Sequence, residues 1–177
     1  EIIVTNGQVS EVVTNQGRIK TEIVVNAAGQ WGGEVGKMVG LNLPVVPMAH
    51  LYIITKPVEG VGHKFPTLRD PDLLVYWREE VGGLITGGYE RDPVPFGLDG
   101  IPKDFKYQLL APDWDRFSPL MENSIKRVPA VETAEIIQLL NGPEGFTPDG
   151  EFLLGPTEVK GFWVACAFCA HGLAGAG

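Results

Sequence analysis

The chain has 177 residues, 44% of them hydrophobic and 20% charged, an ordinary globular composition with length enough for one domain and a real core. A net charge of −8, with no Lys/Arg cluster, excludes a surface built to track nucleic-acid phosphates. No stretch approaches the ~18 apolar residues of a membrane span, and no basic-then-apolar leader is present, so neither nucleic acid nor membrane is an expected partner. A soluble compartment is expected, the cytoplasm or, in a eukaryote, the mitochondrial matrix.

The opening "EIIVTNGQVSEVVT" is two β-branched runs around Asn6-Gly7, a pair that tolerates the positive φ of a tight hairpin. "NQGRIKTEIVVNAAG" gives a second turn at Asn15 to Gly17 and a strand ending near Asn26, whose run Ile23 to Val25 suits burial on both faces. A helix follows, with Trp31, Val35, Met38 and Val39 at helical spacing and Gly40 as its stop. Leu43 to Thr55 reads as a long strand entered through Pro44 and Pro47. "LLVYWREE" and "GLITGGYE" are two strands joined at Val81-Gly82-Gly83, and Arg91 to Lys103 is a Pro/Gly-rich loop. "APDWDRFSPLMENSIKRVPA" is helical, with Met121, Ile125 and Val128 on one face. "AEIIQLLNG", "FLLG" and "GFWVACAF" are further strands, and Gly172 opens a last helix. The sum is an α+β fold. The chain begins with Glu1 in a strand and ends on "HGLAGAG" as a helix is entered, so both ends are expected to cut through the structure of a longer protein.

Two places run a hydrophobic strand into small residues and a helix: "VVNAAGQW" and "GFWVACAFCAHGLAGAG". Each is either an anion or phosphate site, because free N–H groups point out of a helix start and glycine admits a ligand to the backbone, or a plain strand–helix corner. Cys166 and Cys169 form a CxxC. Zinc would need a second ligand pair, and His50 and His63 lie in no matching motif, so the cysteines read as buried or incidental.

Taken in order, "VVNAAGQW", "AHLYIIT", "LLVYWREE", "GLITGGYE", "PDWDRFSPLMENSIKRVPAVETAEI", "NGPEGFTPDGEFLLGP" and "GFWVACAF" resemble the flavin-dependent amine oxidoreductases of the D-amino-acid-oxidase superfamily. Within it they most resemble the dimethylglycine and sarcosine dehydrogenase group. The resemblance runs along essentially the whole chain, but the G-x-G-x-x-G unit that opens such enzymes is missing. It implies a largely antiparallel substrate-domain sheet with a few helices, plus strand–helix remnants of an FAD-binding Rossmann-like domain. The implied division is 1–30 and 146–177 for FAD binding and 31–145 for substrate. It also implies FAD as cofactor and oxidation of the C–N bond of a secondary or tertiary N-methyl amino acid, of sarcosine or dimethylglycine type. Folate would enter only through a domain outside this chain. One branch of the group is a regulatory subunit of pyruvate dehydrogenase phosphatase, so a non-catalytic role is the alternative.

The resemblance casts His50 as facing flavin and substrate and Tyr76 as closing the substrate site; on the residues alone each is equally a packed strand side chain. Tyr52, two residues beyond His50 and so on its face, is either a second aromatic wall or core packing. Arg78, on the face of Tyr76, either binds the substrate carboxylate or forms a surface salt bridge with Glu79 or Glu80. Arg69 is a further candidate of the same kind, while Trp77 points the other way, into packing. Ala28, Gly29 and Trp31 would approach FAD. Gly172, Leu173, Ala174 and Gly175 would turn backbone N–H groups toward the flavin, and His171 either touches it or caps the helix. His63 reads as solvent-exposed.

Overall fold

The structure is a computed structural model that describes residues 1–169 and Gly172. In chain order its elements are β1 (Ile2–Thr5), β2 (Gln8–Thr14), β3 (Gly17–Lys20), β4 (Val24–Asn26), a 3-10 turn Gly29–Trp31, α1 (Gly32–Lys37), β5 (Val46–Thr55), β6 (Leu68–Asp70), β7 (Val75–Glu80), β8 (Gly83–Gly88), α2 (Trp114–Arg127), a 3-10 turn Pro129–Val131, β9 (Ile136–Phe146), β10 (Leu153–Pro156) and β11 (Phe162–Cys166). The α+β expectation holds. The chain divides into two compact units. One comprises Glu1–Met48, Pro95–Phe105 and Glu144–Gly177, the other Ala49–Val94 and Lys106–Pro143.

The first unit holds two three-stranded sheets, β1-β2-β3 and β10-β11-β4. The Asn6-Gly7 turn forms as expected, with φ of 52° and 77°, and β1 pairs antiparallel with β2. β11 runs antiparallel to β10 and parallel to β4, with Trp163 opposite Val25. One face of this second sheet is dry: Phe162, Val164 and Cys166 pack with Ile2, Val9 and Leu41, and Val24 lies against them. The other face is not. Ile23 is 62% and Val25 57% exposed, against the expected two-sided burial, because nothing among the described residues packs on that face, which Trp163 and Leu154 also leave open.

The helix after β4 is shorter than the spacing of apolar residues predicts. Val35 and Val39 pack into the core, whereas Trp31 and Met38 are exposed. Glycines explain the geometry. A Cβ on Gly32 would stand 2.8 Å from the Cys166 Sγ, and one on Gly36 would stand 2.8 Å from the Leu43 side chain, so the helix packs closer than alanine permits. The same glycines weaken helical propensity and leave α1 only six residues long.

The second unit is built on the sheet β6-β7-β8-β5-β9. Strict alternation governs it: along β5, Pro47, Ala49, Leu51, Ile53 and Thr55 are buried and the residues between them are half-buried. Leu51, Ile53, Val75, Trp77, Leu84 and Leu139 form the dry face, closed by Phe117 and Leu120 of α2 and by Val131. Burying such side chains contributes roughly 1.5–3 kcal/mol each. Thr86 and Ser124, both buried, satisfy each other across this layer at 3.0 Å. α2 begins at Asp113, whose carboxylate accepts from the Arg116 N–H at 3.1 Å, an N-cap. The Val81-Gly82 turn joins β7 and β8 with φ of 50° and 79°. β5 starts three residues later than expected. β9 starts at Ile136 and runs on past the expected end at Gly142, through Pro143 to Phe146.

Candidate active site

The face of the second unit's sheet opposite α2 carries most of the candidate residues. Residues directly opposite in a ladder share a face, and four strands bring Arg69, Tyr76, Gly87 and Tyr52 into one row. His50 and Tyr89 stand one step further along, with ring centroids 4.8 Å apart. His50 Nε2 and the Tyr76 hydroxyl are hydrogen-bonded at 2.9 Å, the donor depending on the imidazole tautomer. The Tyr76 and Tyr89 rings lie 6.1 Å apart, and the guanidinium of Arg69 sits 5.9 Å from the centroid of Tyr89. His50 and Tyr76, singled out separately in the sequence, are therefore one pair.

Burial pushes the His50 imidazole down to about 4, so the ring is neutral around pH 7. Gly87 makes the arrangement possible. A Cβ there would meet the Tyr76 hydroxyl at 2.6 Å, the Tyr52 Cβ at 2.7 Å and the Leu51 carbonyl at 2.8 Å. The phenol of Tyr76 crosses the sheet over a strand that carries no side chain at that point.

Arg78 lies on the same face, one row beyond Tyr76 on the side away from His50. Its guanidinium donates to Glu80 at 2.8 Å, the salt-bridge alternative read from the sequence. Trp77 points into the dry face as expected and is fully buried. His63 is exposed beside Glu79 at 3.7 Å. Tyr89 and Gly87 escaped the sequence reading. The signal was present: in "GLITGGYE" a period of two from Gly87 puts Tyr89 on the same face.

In the first unit, the parallel strands β4 and β11 end side by side. Asn26, 2% exposed, fixes the corner after β4: its Nδ2 donates to the Gly32 carbonyl at 2.9 Å and its Oδ1 accepts from the Ala28 N–H at 3.3 Å. Beyond it Gly29 has a φ of 55° with nothing within 4 Å of where a Cβ would be, Ala28 is half-buried and Trp31 is 39% exposed. An open strip beyond the carboxyl ends of parallel strands fits a dinucleotide cofactor such as FAD. Gly172 is helical; His171, Leu173, Ala174 and Gly175 lie outside the described residues. Neither Cys166 nor Cys169 is in a disulfide. Burial raises the Cys166 thiol, and Cys169 bonds to Glu144, whose carboxyl burial raises. No group of three or more metal-ligating side chains occurs among the described residues, and no helix there is long and apolar enough to cross a membrane.

Mouse (Mus musculus) mitochondrial sarcosine dehydrogenase is 39% identical over 167 residues, 94% of this chain and 18% of its own. The mitochondrial pyruvate dehydrogenase phosphatase regulatory subunit of the same species is 36% identical over 176 residues, 97% of this chain and 20% of its own. The chain thus spans about a fifth of these relatives. Among solved structures, L-proline dehydrogenase from P. horikoshii superposes with a TM-score of 0.77 at 26% identity, over 97% of this chain and 44% of that one. A family model described as FAD dependent oxidoreductase, DAO, matches residues 1–177, and the chain belongs to that family.

Proposed function

We propose that the full-length protein is an FAD-dependent oxidoreductase acting on the C–N bond of a secondary or tertiary N-methyl amino acid of the sarcosine or dimethylglycine type. The observation that carries this reading is the hydrogen-bonded, uncharged His50–Tyr76 pair on an aromatic face, in a chain 39% identical to a sarcosine dehydrogenase. Bound FAD supplies a two-electron acceptor for hydride. Ala28, Gly29 and Trp31 would hold it, with His171, Gly172, Leu173, Ala174 and Gly175 after the final strand. Residues 1–30 and 146–177 then serve the cofactor and 31–145 the substrate.

The chain's part is orientation and electrostatics. A C–H bond next to nitrogen gives up hydride only when the amine is neutral, because the nitrogen lone pair becomes the C=N bond of the imine. An imidazole near 4 is too weak a base to strip an ammonium ion by itself at neutral pH. Its role is to orient the amine as a neutral hydrogen-bonding group, while the same desolvation that keeps the imidazole neutral disfavours the ammonium form of the substrate. Tyr76 fixes the ring's orientation, and the walls of Tyr52 and Tyr89 exclude water. Arg78 would assist a substrate carboxylate only on leaving Glu80. Water then hydrolyses the imine to formaldehyde and the demethylated amine, unless a folate-binding domain outside this chain takes the one-carbon unit. The mitochondrial matrix is the expected compartment in a eukaryotic host, the cytoplasm otherwise.

The decisive experiment is anaerobic titration of the purified full-length protein with sarcosine and dimethylglycine, followed by visible absorbance. The flavin bands bleach if the reading is right, and His50→Ala and Tyr76→Phe slow the bleaching. A full-length protein that carries no flavin refutes it. The 36% identity to the phosphatase regulatory subunit then makes the non-catalytic role the conclusion.

A further inference from the structure

Among the described residues, burial pushes two carboxyl groups upward, Glu90 and Glu144. Glu90 meets the Arg116 guanidinium at 3.2 Å, an arrangement that leaves neither charge unpaired. Glu144 has no such cation. Burial and the Cys169 thiol, which donates to it, are what act on the group. Its Oε2 is sealed from solvent and has no hydrogen-bond partner among the described residues. A buried carboxyl left half-satisfied costs stability, so its place in the molecule needs a reason.

That place is between the two strand–helix corners proposed above to hold the cofactor. β9 ends inside the first unit, with Glu144, Gly145 and Phe146. Gly145 lies against the corner after β4: a Cβ there would stand 3.2 Å from the Gln30 Cα and 3.4 Å from its N. Gln30 is the middle residue of the Gly29–Trp31 turn. Glu144 reaches the corner after β11 through Cys169, whose neighbour Phe168 stacks on Phe152 with centroids 4.7 Å apart. The chain next to Glu144 thus touches the first corner, and its side chain bonds to the second. A flavin gains negative charge on reduction, and a sealed carboxylate close by opposes that charge unless it is protonated.

Resting on the reading that FAD lies along these corners, we propose that Glu144 is the residue whose protonation is coupled to reduction of the cofactor. Two electrons and one proton convert the flavin to its reduced anion. The Glu144 carboxylate takes one further proton from hydronium as that charge arrives, and returns it when the flavin is reoxidised. Where Glu144 is ionised beside oxidised flavin and protonated beside reduced flavin, the midpoint potential falls more steeply as pH rises. Where it is protonated beside both, the extra slope vanishes.

The test is reductive titration of the full-length protein with dithionite and a redox dye of known potential, between about pH 5 and about pH 8. The potential of Glu144→Gln, which cannot ionise, should stand above wild type by at least about 30 mV near the upper end, a tenfold change in proton affinity converted for a two-electron couple. The gap should close toward the lower end. Cys169→Ala removes the donor that favours the carboxylate, so its curve should bend at higher pH than that of wild type.

The coupling is overturned if Glu144→Gln and wild type share one curve. It is equally overturned if they differ by the same amount at every pH, the mark of a corner rearranged by the substitution. A bend left in place by Cys169→Ala overturns it too, and that readout survives should Glu144→Gln not fold. A full-length protein without flavin removes both this inference and the oxidoreductase reading. A gap that closes with falling pH, in a protein whose flavin sarcosine does not bleach, would keep the coupling and remove the oxidation reading.

Discussion

The two main sheets treat their second face in opposite ways. In β6-β7-β8-β5-β9 one face is dry under α2, and the other carries Arg69, Tyr76, Tyr52, His50 and Tyr89, side chains that pair apolar bodies with polar tips. In β10-β11-β4 one face is equally dry, but the other shows water the largely apolar Val25, Trp163 and Leu154, at 57%, 43% and 66% exposure. Alternation between strand faces is common to both. The difference lies in what stands on the open face: a chemically furnished surface in one sheet, bare hydrocarbon in the other. Dry faces set stability, and the furnished face is the one proposed above to carry the chemistry.

The largest effect that would break this division comes from Phe117→Ala. The ring is fully buried beneath the larger sheet, and its loss should cost about 3–5 kcal/mol in chemical denaturation. A loss under 1 kcal/mol would mean that the dry face is not the stability determinant.

Gly87→Ala comes next. It puts a methyl where the Tyr76 hydroxyl, the Tyr52 Cβ and a backbone carbonyl already stand, and should destabilise by about 1–3 kcal/mol. The turnover of the full-length protein should collapse along with it, since the Tyr76 phenol must leave His50. Activity retained at the wild-type level would show that the row of aromatics does not need its glycine.

Tyr76→Phe separates the two roles. It removes the 2.9 Å hydrogen bond but keeps the ring, so stability should change by about 1 kcal/mol or less while turnover falls roughly 10²-fold.

His50 predicts a pH dependence with a definite sign. Its imidazole titrates near 4 in the folded chain against 6.5 when free, so between those values the unfolded chain binds a proton that the folded chain refuses. Stability should therefore fall as pH drops from about 6.5 to about 4, by at most about 3 kcal/mol, and this contribution should be absent in His50→Gln. Smallest of all, Val25→Thr in the 177-residue chain should change stability by less than about 0.5 kcal/mol, because the side chain is already in water.

What the sequence reveals follows the range of the interactions involved. Alternation in "MAHLYIIT" and "LVYWREE" is local, so β5 and β7, and with them the shared faces of His50, Tyr52 and Tyr76, could be read directly. The asymmetry of β10-β11-β4 could not. Ile23-Val24-Val25 is apolar throughout, and whether a face is covered depends on elements far along the chain. β6 has three residues between prolines and leaves no periodic trace. Gly87-Gly88 was legible as strand, but two residues without side chains give no face pattern and hid Tyr89; both are buried, and a Cβ on either would meet the atoms that pass close to it. The partner of Arg78 was legible and that of Arg69 was not: Glu80 is two residues from Arg78, whereas the ring beneath Arg69 is twenty residues away.

The fully buried Trp77 also gives the molecule an optical address. Of the four tryptophans, Trp31, Trp114 and Trp163 are 39%, 50% and 43% exposed and should emit as indoles in water do, while Trp77 is sealed at 0% with its Nε1–H unpartnered. The short-wavelength edge of the intrinsic fluorescence therefore belongs to a single side chain on the dry face of the larger sheet. An emission shift confined to that edge would report on its packing alone, one residue away in sequence from Tyr76 and its bond to His50.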